Sequence, residues 1–245
     1  MARDVILFSH AALVGLTPLI PVPLLDDAVK GAIERRMAGE LVREHGLELD
    51  KDATAKLVDT PGKGILASMA KGALTFPLKL VFRKVFFVLE VKRAADEASR
   101  TYHRGLLLDR ALSASLLAPK GEVTPDQVRV AIEETCQEVG VSPVSVPMRA
   151  VFEASKDSFE HAGRRILEGL LKNPSKLGDE DVKKAVDGAS NDRGFVDDLV
   201  ARLKEAMASV PTEHFDALYA KFDEKVGTAV AASTTIAAST TIAKT

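Results

Sequence analysis

The chain has 245 residues, of which 46% are hydrophobic and only 5% aromatic, with no tryptophan. That length can bury a sizeable core, that apolar content excludes a disordered chain, and the scarcity of aromatics argues against a strand-rich sandwich. One cysteine, Cys136, rules out an intrachain disulfide and leaves no reason for an oxidising compartment, while a net charge of −2 argues against nucleic acid as a partner.

Taken in chain order, the elements read as helices. Val5 to Leu25 is a stretch of 21 residues without a charged side chain. It has the apolar length to cross a bilayer, but Pro18, Pro21 and Pro23 each remove a backbone donor, so one straight span is not expected. The pattern predicts a helix over 5–16 capped by Asp4, and an elbow at Pro18, Pro21 and Pro23. A second helix then runs from Asp26 and Asp27 to Glu44 and closes on His45-Gly46. Asp4 interrupts the positive start, and Asp26-Asp27 stands where a small-residue cleavage site would, so a secretory signal is not expected. Val29, Ile33, Met37 and Leu41 give the second helix a buried stripe, with Lys30–Glu34 and Arg36–Glu40 as helix-spaced pairs. Asp50 caps a short helix to Val58, and Thr60-Pro61-Gly62 marks a turn.

From Gly64 to Val91 comes a second long apolar segment, bent at Pro77. Past that proline, Lys79, Arg83, Glu90 and Arg93 project into one sector of about 80°, leaving a narrow polar stripe on an oily rod. Such a rod fits a protein core with its charged edge in water, or a membrane surface with Lys and Arg stems reaching the headgroups. Tyr102-His103-Arg104 follows. Together with Arg93 and Arg100 these side chains suit either a phosphate contact or a solvated helix face.

In the distal half, Thr124-Pro125-Asp126-Gln127 predicts a capping-box start for a helix toward Val139-Gly140. Pro143 and Pro147 are expected to break the chain. Met148, Val151, Phe152, Phe159, Ile166 and Leu170 then define a long amphipathic helix ending before Asn173-Pro174, with shorter ones near 180–188, 195–209 and 212–226. From Gly227 the composition turns to Ala, Ser and Thr, and the hexapeptide Ala231–Ile236 repeats as Ala237–Ile242. A disordered tail is expected there, whose β-branched content leaves room for self-association. The fold class is thus all-α: a multi-helix bundle with a proline-broken N-terminal helical hairpin. Its expected parts are an apolar, basic-rimmed region over 1–118, an acidic bundle over 119–226 and a tail over 227–245.

Charge is unevenly spread. Residues 1–120 carry 18 Lys/Arg against 14 Asp/Glu and the remainder 15 against 21, while Lys63 to Arg110 alone carries ten against four. Catalytic patterns are sparse. Gly62-Lys63-Gly64 lacks the other residues of a phosphate loop, and His10, His45, His103, His161 and His214 have no ligand partner at helical spacing. Glu160-His161 and Glu213-His214 point about 100° apart and read as solvated faces. Cys136, among Glu133 and Glu134, reads as an idle thiol. Asp26-Asp27 reads as a cap rather than a working carboxylate pair.

The run Ile20-Pro21-Val22-Pro23-Leu24-Leu25-Asp26, then Arg36-Met37, Leu41 and the His45-Gly46 terminus, resembles a group of bacterial membrane-associated domains often called YcjF-like, which occur beside or fused to small GTPases. Thr101-Tyr102 before Gly105 is similar to a later part of that pattern. The resemblance covers Val5 to Leu112; no GTPase domain accompanies it, and the second apolar segment carries more Lys and Arg than a true span. It implies membrane association rather than a reaction.

The expected protein is non-enzymatic and peripherally membrane-associated, with a scaffolding or interaction role at the cytoplasmic face of a membrane. Lys71, Lys79, Arg83, Lys84, Lys92, Arg93, Arg100 and Arg104 are its candidate membrane or phosphate contacts. Pro18, Pro21, Pro23, Asp26 and Asp27 form its elbow. No catalytic residue, metal or cofactor is expected. The expected partner is an anionic membrane surface, an apolar protein surface or a second copy of the chain. A soluble helical scaffold with both apolar segments in its own core is the alternative, and an enzyme whose site is assembled from distant helices is the third reading.

Overall fold

The computed structural model describes residues 2–19, 25–59, 87–117, 123–158, 168, 182, 184–185, 187–188 and 193–242. Every regular element among them is helical: α1 (Ala2–Gly15), a 3-10 turn (Thr17–Leu19), α2 (Leu25–Glu44), α3 (Lys51–Lys56), α4 (Phe87–Ser113), α5 (Pro125–Val139), α6 (Ser142–Ala154), α7 (Arg193–Met207) and α8 (Thr212–Ile242). The all-α bundle read from composition is the observed fold. Pro21, Pro23, Lys71, Lys79, Arg83 and Lys84, the bend at Pro77 and the positions Phe159, Ile166, Leu170 and Asn173-Pro174 lie outside the described residues.

The local chemistry of several helix ends is as read. The Thr17 hydroxyl donates to the Val14 carbonyl at 2.8 Å, turning α1 into the 3-10 turn that holds Pro18. At the end of α2, Gly46 takes φ +66°, its N–H reaches Arg43 and the Leu47 N–H reaches Val42. That double closure is the Schellman arrangement, and only a residue without Cβ adopts its left-handed position at no cost. Asp50 accepts the Ala53 N–H at 2.6 Å, and Thr124 with Gln127 forms the reciprocal capping box.

α1 is the centre of the molecule. Its Leu7, Phe8, Leu13 and Val14, with Leu16 just beyond it, are all buried, as is His10. It packs against α4 most extensively, then α2 and α7. Arg3 and His45 both meet Asp109, Gly105 lies against Leu7, and Gly15 lies against the Ala94 carbonyl, so α1 runs antiparallel to α4 and to α2. A Cβ at Gly105 would come within 2.4 Å of Leu7 Cδ2 and 3.1 Å of Met37 Sδ. The absent side chain is what lets the two helices approach.

α6 covers α4 in antiparallel register, fixed by Ser99 donating to the Val141 carbonyl and Ser145 donating to Asp96. α8 lies on α5 and reaches α4 through His214 and Asp223. The buried apolar residues form one cluster from Leu7 to Val226, so residues 1–118 and 119–226 contribute to a common core.

Four local expectations are corrected. Helix α1 starts at Ala2, so Asp4 sits inside its first turn, where it pairs with Lys204 instead of capping. Lys30 and Glu34 do not pair with each other. Lys30 meets Glu97 and Glu34 meets Arg104, because α4 lies close enough to offer buried partners that an exposed helix-spaced pair lacks. Pro143 and Pro147 do not break the chain: α6 starts at Ser142, with Pro143 in its first turn and Pro147 inside. Val144, Met148, Val151 and Phe152 are buried against α4 and α7, and that packing outweighs the one backbone bond lost at Pro147. Finally, α8 continues through Gly227 to Ile242 where composition led us to expect disorder. Alanine is the best helix former, and extension of an existing helix avoids the cost of nucleation.

Candidate functional site

Helix α4 carries the polar chemistry of the bundle. It runs parallel to α2, and their seam is a ladder of opposite charges: Asp26 with Arg93 at 3.2 Å, Lys30 with Glu97, Glu34 with Arg104 at 3.1 Å, and Asp109 with His45 at 2.7 Å. Arg100 lies 3.9 Å from Glu97 on the same seam. Burial works against the charge of Glu97, but Lys30, Arg100 and Arg93 around it hold its carboxyl below the usual range. Over α4, Arg93 and Arg104 are thus met by Asp26 and Glu34 of α2, whereas Glu97 and Asp109 of α4 are met by Lys30 and His45 of α2.

The candidate contacts separate accordingly. Lys92, Arg93 and Arg100 are exposed, the last two with the acid partners just named. Arg104 turns inward. Tyr102, His103 and Arg104, adjacent in sequence, go to three different places, as a step of about 100° per residue requires. The Tyr102 ring stacks on Phe8 at 4.8 Å, His103 meets His214, and Arg104 binds the buried Glu34, which also accepts from the Thr101 hydroxyl. These three side chains form neither a phosphate cradle nor a solvated face. Helix α2 starts at Leu25, so Asp26 and Asp27 lie inside its first turn instead of capping it; one Asp26 oxygen accepts the Asp27 N–H and the other meets Arg93.

Two arginines face a small cavity between α2, α4, α5 and the end of α3, with Met37, Leu57, Leu108 and Ile132 as its apolar walls and room for about one water. Arg129 is held by Asp126 and Glu133 from its own helix, yet its Nε and that of Arg104 have no partner. Cys136 is buried nearby, and burial pushes its thiol up to about 11, so it is no nucleophile at neutral pH.

Two histidines have surroundings that the sequence did not disclose. His103 and His214 place their Nε2 atoms 2.7 Å apart, and burial lowers the pKa of both, that of His103 to about 4. Their separation of 111 positions hides the pair from any spacing argument. His10, also depressed by burial despite the nearby Glu40 carboxylate, donates from Nδ1 to the Ile6 carbonyl and leaves Nε2 3.8 Å from Glu40. Among the described residues, no three His, Cys, Asp or Glu side chains gather to hold a metal ion, and no helix is long and apolar enough to cross a membrane. No protein-family model matches the chain, and neither a curated protein nor a solved structure does.

Proposed function

We propose that this protein acts without catalysis, as a helical interaction scaffold that associates peripherally with an anionic membrane through residues 64–86 and the basic side chains in and beside them. The burial of α1 supports assigning that role to one segment. The N-terminal apolar stretch is spent inside the bundle, since Leu7 to Pro18 is covered by α2, α4 and α7 apart from the half-buried Ser9. The remaining apolar run is different in composition. Residues 60–86 contain Lys63, Lys71, Lys79, Arg83 and Lys84, no aspartate or glutamate, and Phe76, Phe82 and Phe86 among Leu and Val.

That composition is the observation that carries the reading. Bulky apolar side chains supply burial into the headgroup boundary, and each cation near an anionic leaflet adds about 1 kcal/mol. Lys92 continues the basic series onto the exposed side of α4. The resemblance of Arg36-Met37 and the Gly46 terminus to the YcjF-like pattern supports the same kind of location. A paired surface over the rest of α4 suits a scaffold, because its charges are engaged within the bundle.

Vesicle flotation tests the role. The full chain should float with vesicles rich in phosphatidylserine at low salt and leave them as salt rises, and replacement of Lys63, Lys71, Lys79, Arg83 and Lys84 by glutamine should abolish flotation. Equal flotation of that variant, or no flotation of the wild type, contradicts the reading. In the second case the alternative stands: a scaffold with no membrane contact, which the burial of α1 favours.

A further inference from the structure

The contact between His103 and His214 imposes a strict proton arrangement. His103 Nδ1 lies 2.6 Å from the Ser99 carbonyl, an acceptor, so Nδ1 carries a hydrogen. In the neutral ring its Nε2 is then a lone pair, and the His214 Nε2 at 2.7 Å must be the donor. One added proton can sit on His214 Nδ1 without disturbing this bond. A second has only His103 Nε2 to go to, the atom that the bond already occupies.

We propose that this pair is an acid-released clamp holding the first turn of α8 on α4. His214 is the third residue of α8, where the positive end of the helix opposes a further charge. The neighbouring aromatic rings, Tyr102 and Phe215, offer no carboxylate. The charged groups of the surrounding elements are engaged elsewhere: Asp4 of α1 with Lys204 of α7, Arg149 with Glu153 on α6, and Glu134 and Glu138 of α5 with Lys225. Glu213, beside His214, is exposed. With no acid bound to either ring among the described residues, doubly charging the pair leaves two cations face to face in a partly buried seam. Opening the seam exposes the buried Leu218 and the partly buried Phe215 of α8. Burial, which lowers the proton affinity of both rings, sets the release below the ordinary histidine range.

Hydrogen exchange of the full chain tests the clamp, with rates corrected for the intrinsic effect of pH. Amides of 212–219 should lose protection by at least tenfold between pH 6.5 and 4.5, while those of 128–136 in α5 hold. His214→Gln should keep its protection at both pH values, because an amide offers N–H to neutral His103 and oxygen to the charged ring. Protection of the wild type persisting at pH 4.5, equal loss in His214→Gln, or loss in α5 in step with α8 overturns the proposal. Imidazole nitrogen shifts of the wild type provide a check that needs no variant. His103 Nε2 should gain its proton at the pH where α8 is released, and gain without release is equally contrary.

Discussion

At the residue scale, burial converts ordinary polar side chains into determinants of stability. Glu34 is nearly inaccessible and accepts from Thr101 and Arg104, so removing its carboxylate strands a guanidinium that retains only partial access to water. Glu34→Ala should cost about 2–4 kcal/mol in denaturant unfolding, below the loss for a fully buried pair because Arg104 is partly hydrated. Glu34→Gln, which still accepts from both donors, should cost less. Acid sensitivity follows from the histidines. His103 binds its proton near pH 4 when folded and near 6.5 when unfolded, so between those values the unfolded chain holds more protons. The stabilisation is fully present above pH 6.5 and drains away as pH falls toward 4, by about 3 kcal/mol for this residue, and His10 and His214 act in the same direction. Denaturation midpoints measured across that window check the sign. Neither result was visible in the sequence, where Tyr102-His103-Arg104 looked like a single polar cluster. Which residue faces which neighbour depends on α1, α2 and α8 arriving around α4, and no spacing rule carries that information.

At the element scale, two glycines give opposite expectations from one substitution. Gly105 is packed against Leu7 and Met37, whereas nothing lies within 4 Å of where a Cβ would stand on Gly227 in α8. Gly105→Ala gains helix propensity but overpacks the contact of α1 with α4, for a net loss of about 1–2 kcal/mol. Gly227→Ala has only the gain, about 0.5–1 kcal/mol. Thermal melts of the two variants should move in opposite directions; a stabilised Gly105→Ala would mean that Leu7 yields freely. Helix ends were the most legible feature of the chain, because a cap is decided by three or four neighbouring residues: Asp50, Thr124 with Gln127, and Gly46 all stand as read. Thr124→Ala should accordingly cost about 1 kcal/mol. Pro147 and the alanine-rich end of α8 were misread for the converse reason. Packing against α4 and α7 in one case, and continuation of a formed helix in the other, outweigh local composition.

At the scale of the whole molecule, the decisive arrangement is an apolar N-terminal helix enclosed by segments that follow it in the chain. The fold class was legible because helical periodicity and scarce aromatics exclude sheet architectures, and the buried stripe of Val29, Ile33, Met37 and Leu41 is where periodicity put it. The fate of the oily segments was not legible, since periodicity shows that a face is apolar and says nothing of what covers it. For residues 7–18 the cover is protein. Truncating Leu16, which is fully buried, to alanine should therefore cost about 2–5 kcal/mol, a loss expected of a core position and not of a lipid-facing one.

The most direct measurement of the account is hydrogen exchange of the full chain at neutral pH with and without phosphatidylserine vesicles. Residues 64–86 should gain protection on adding vesicles, while residues 5–18 should be protected throughout and unchanged. Protection gained within residues 5–18, or none gained within residues 64–86, would contradict the claim that the first apolar segment builds the core and the second meets the membrane.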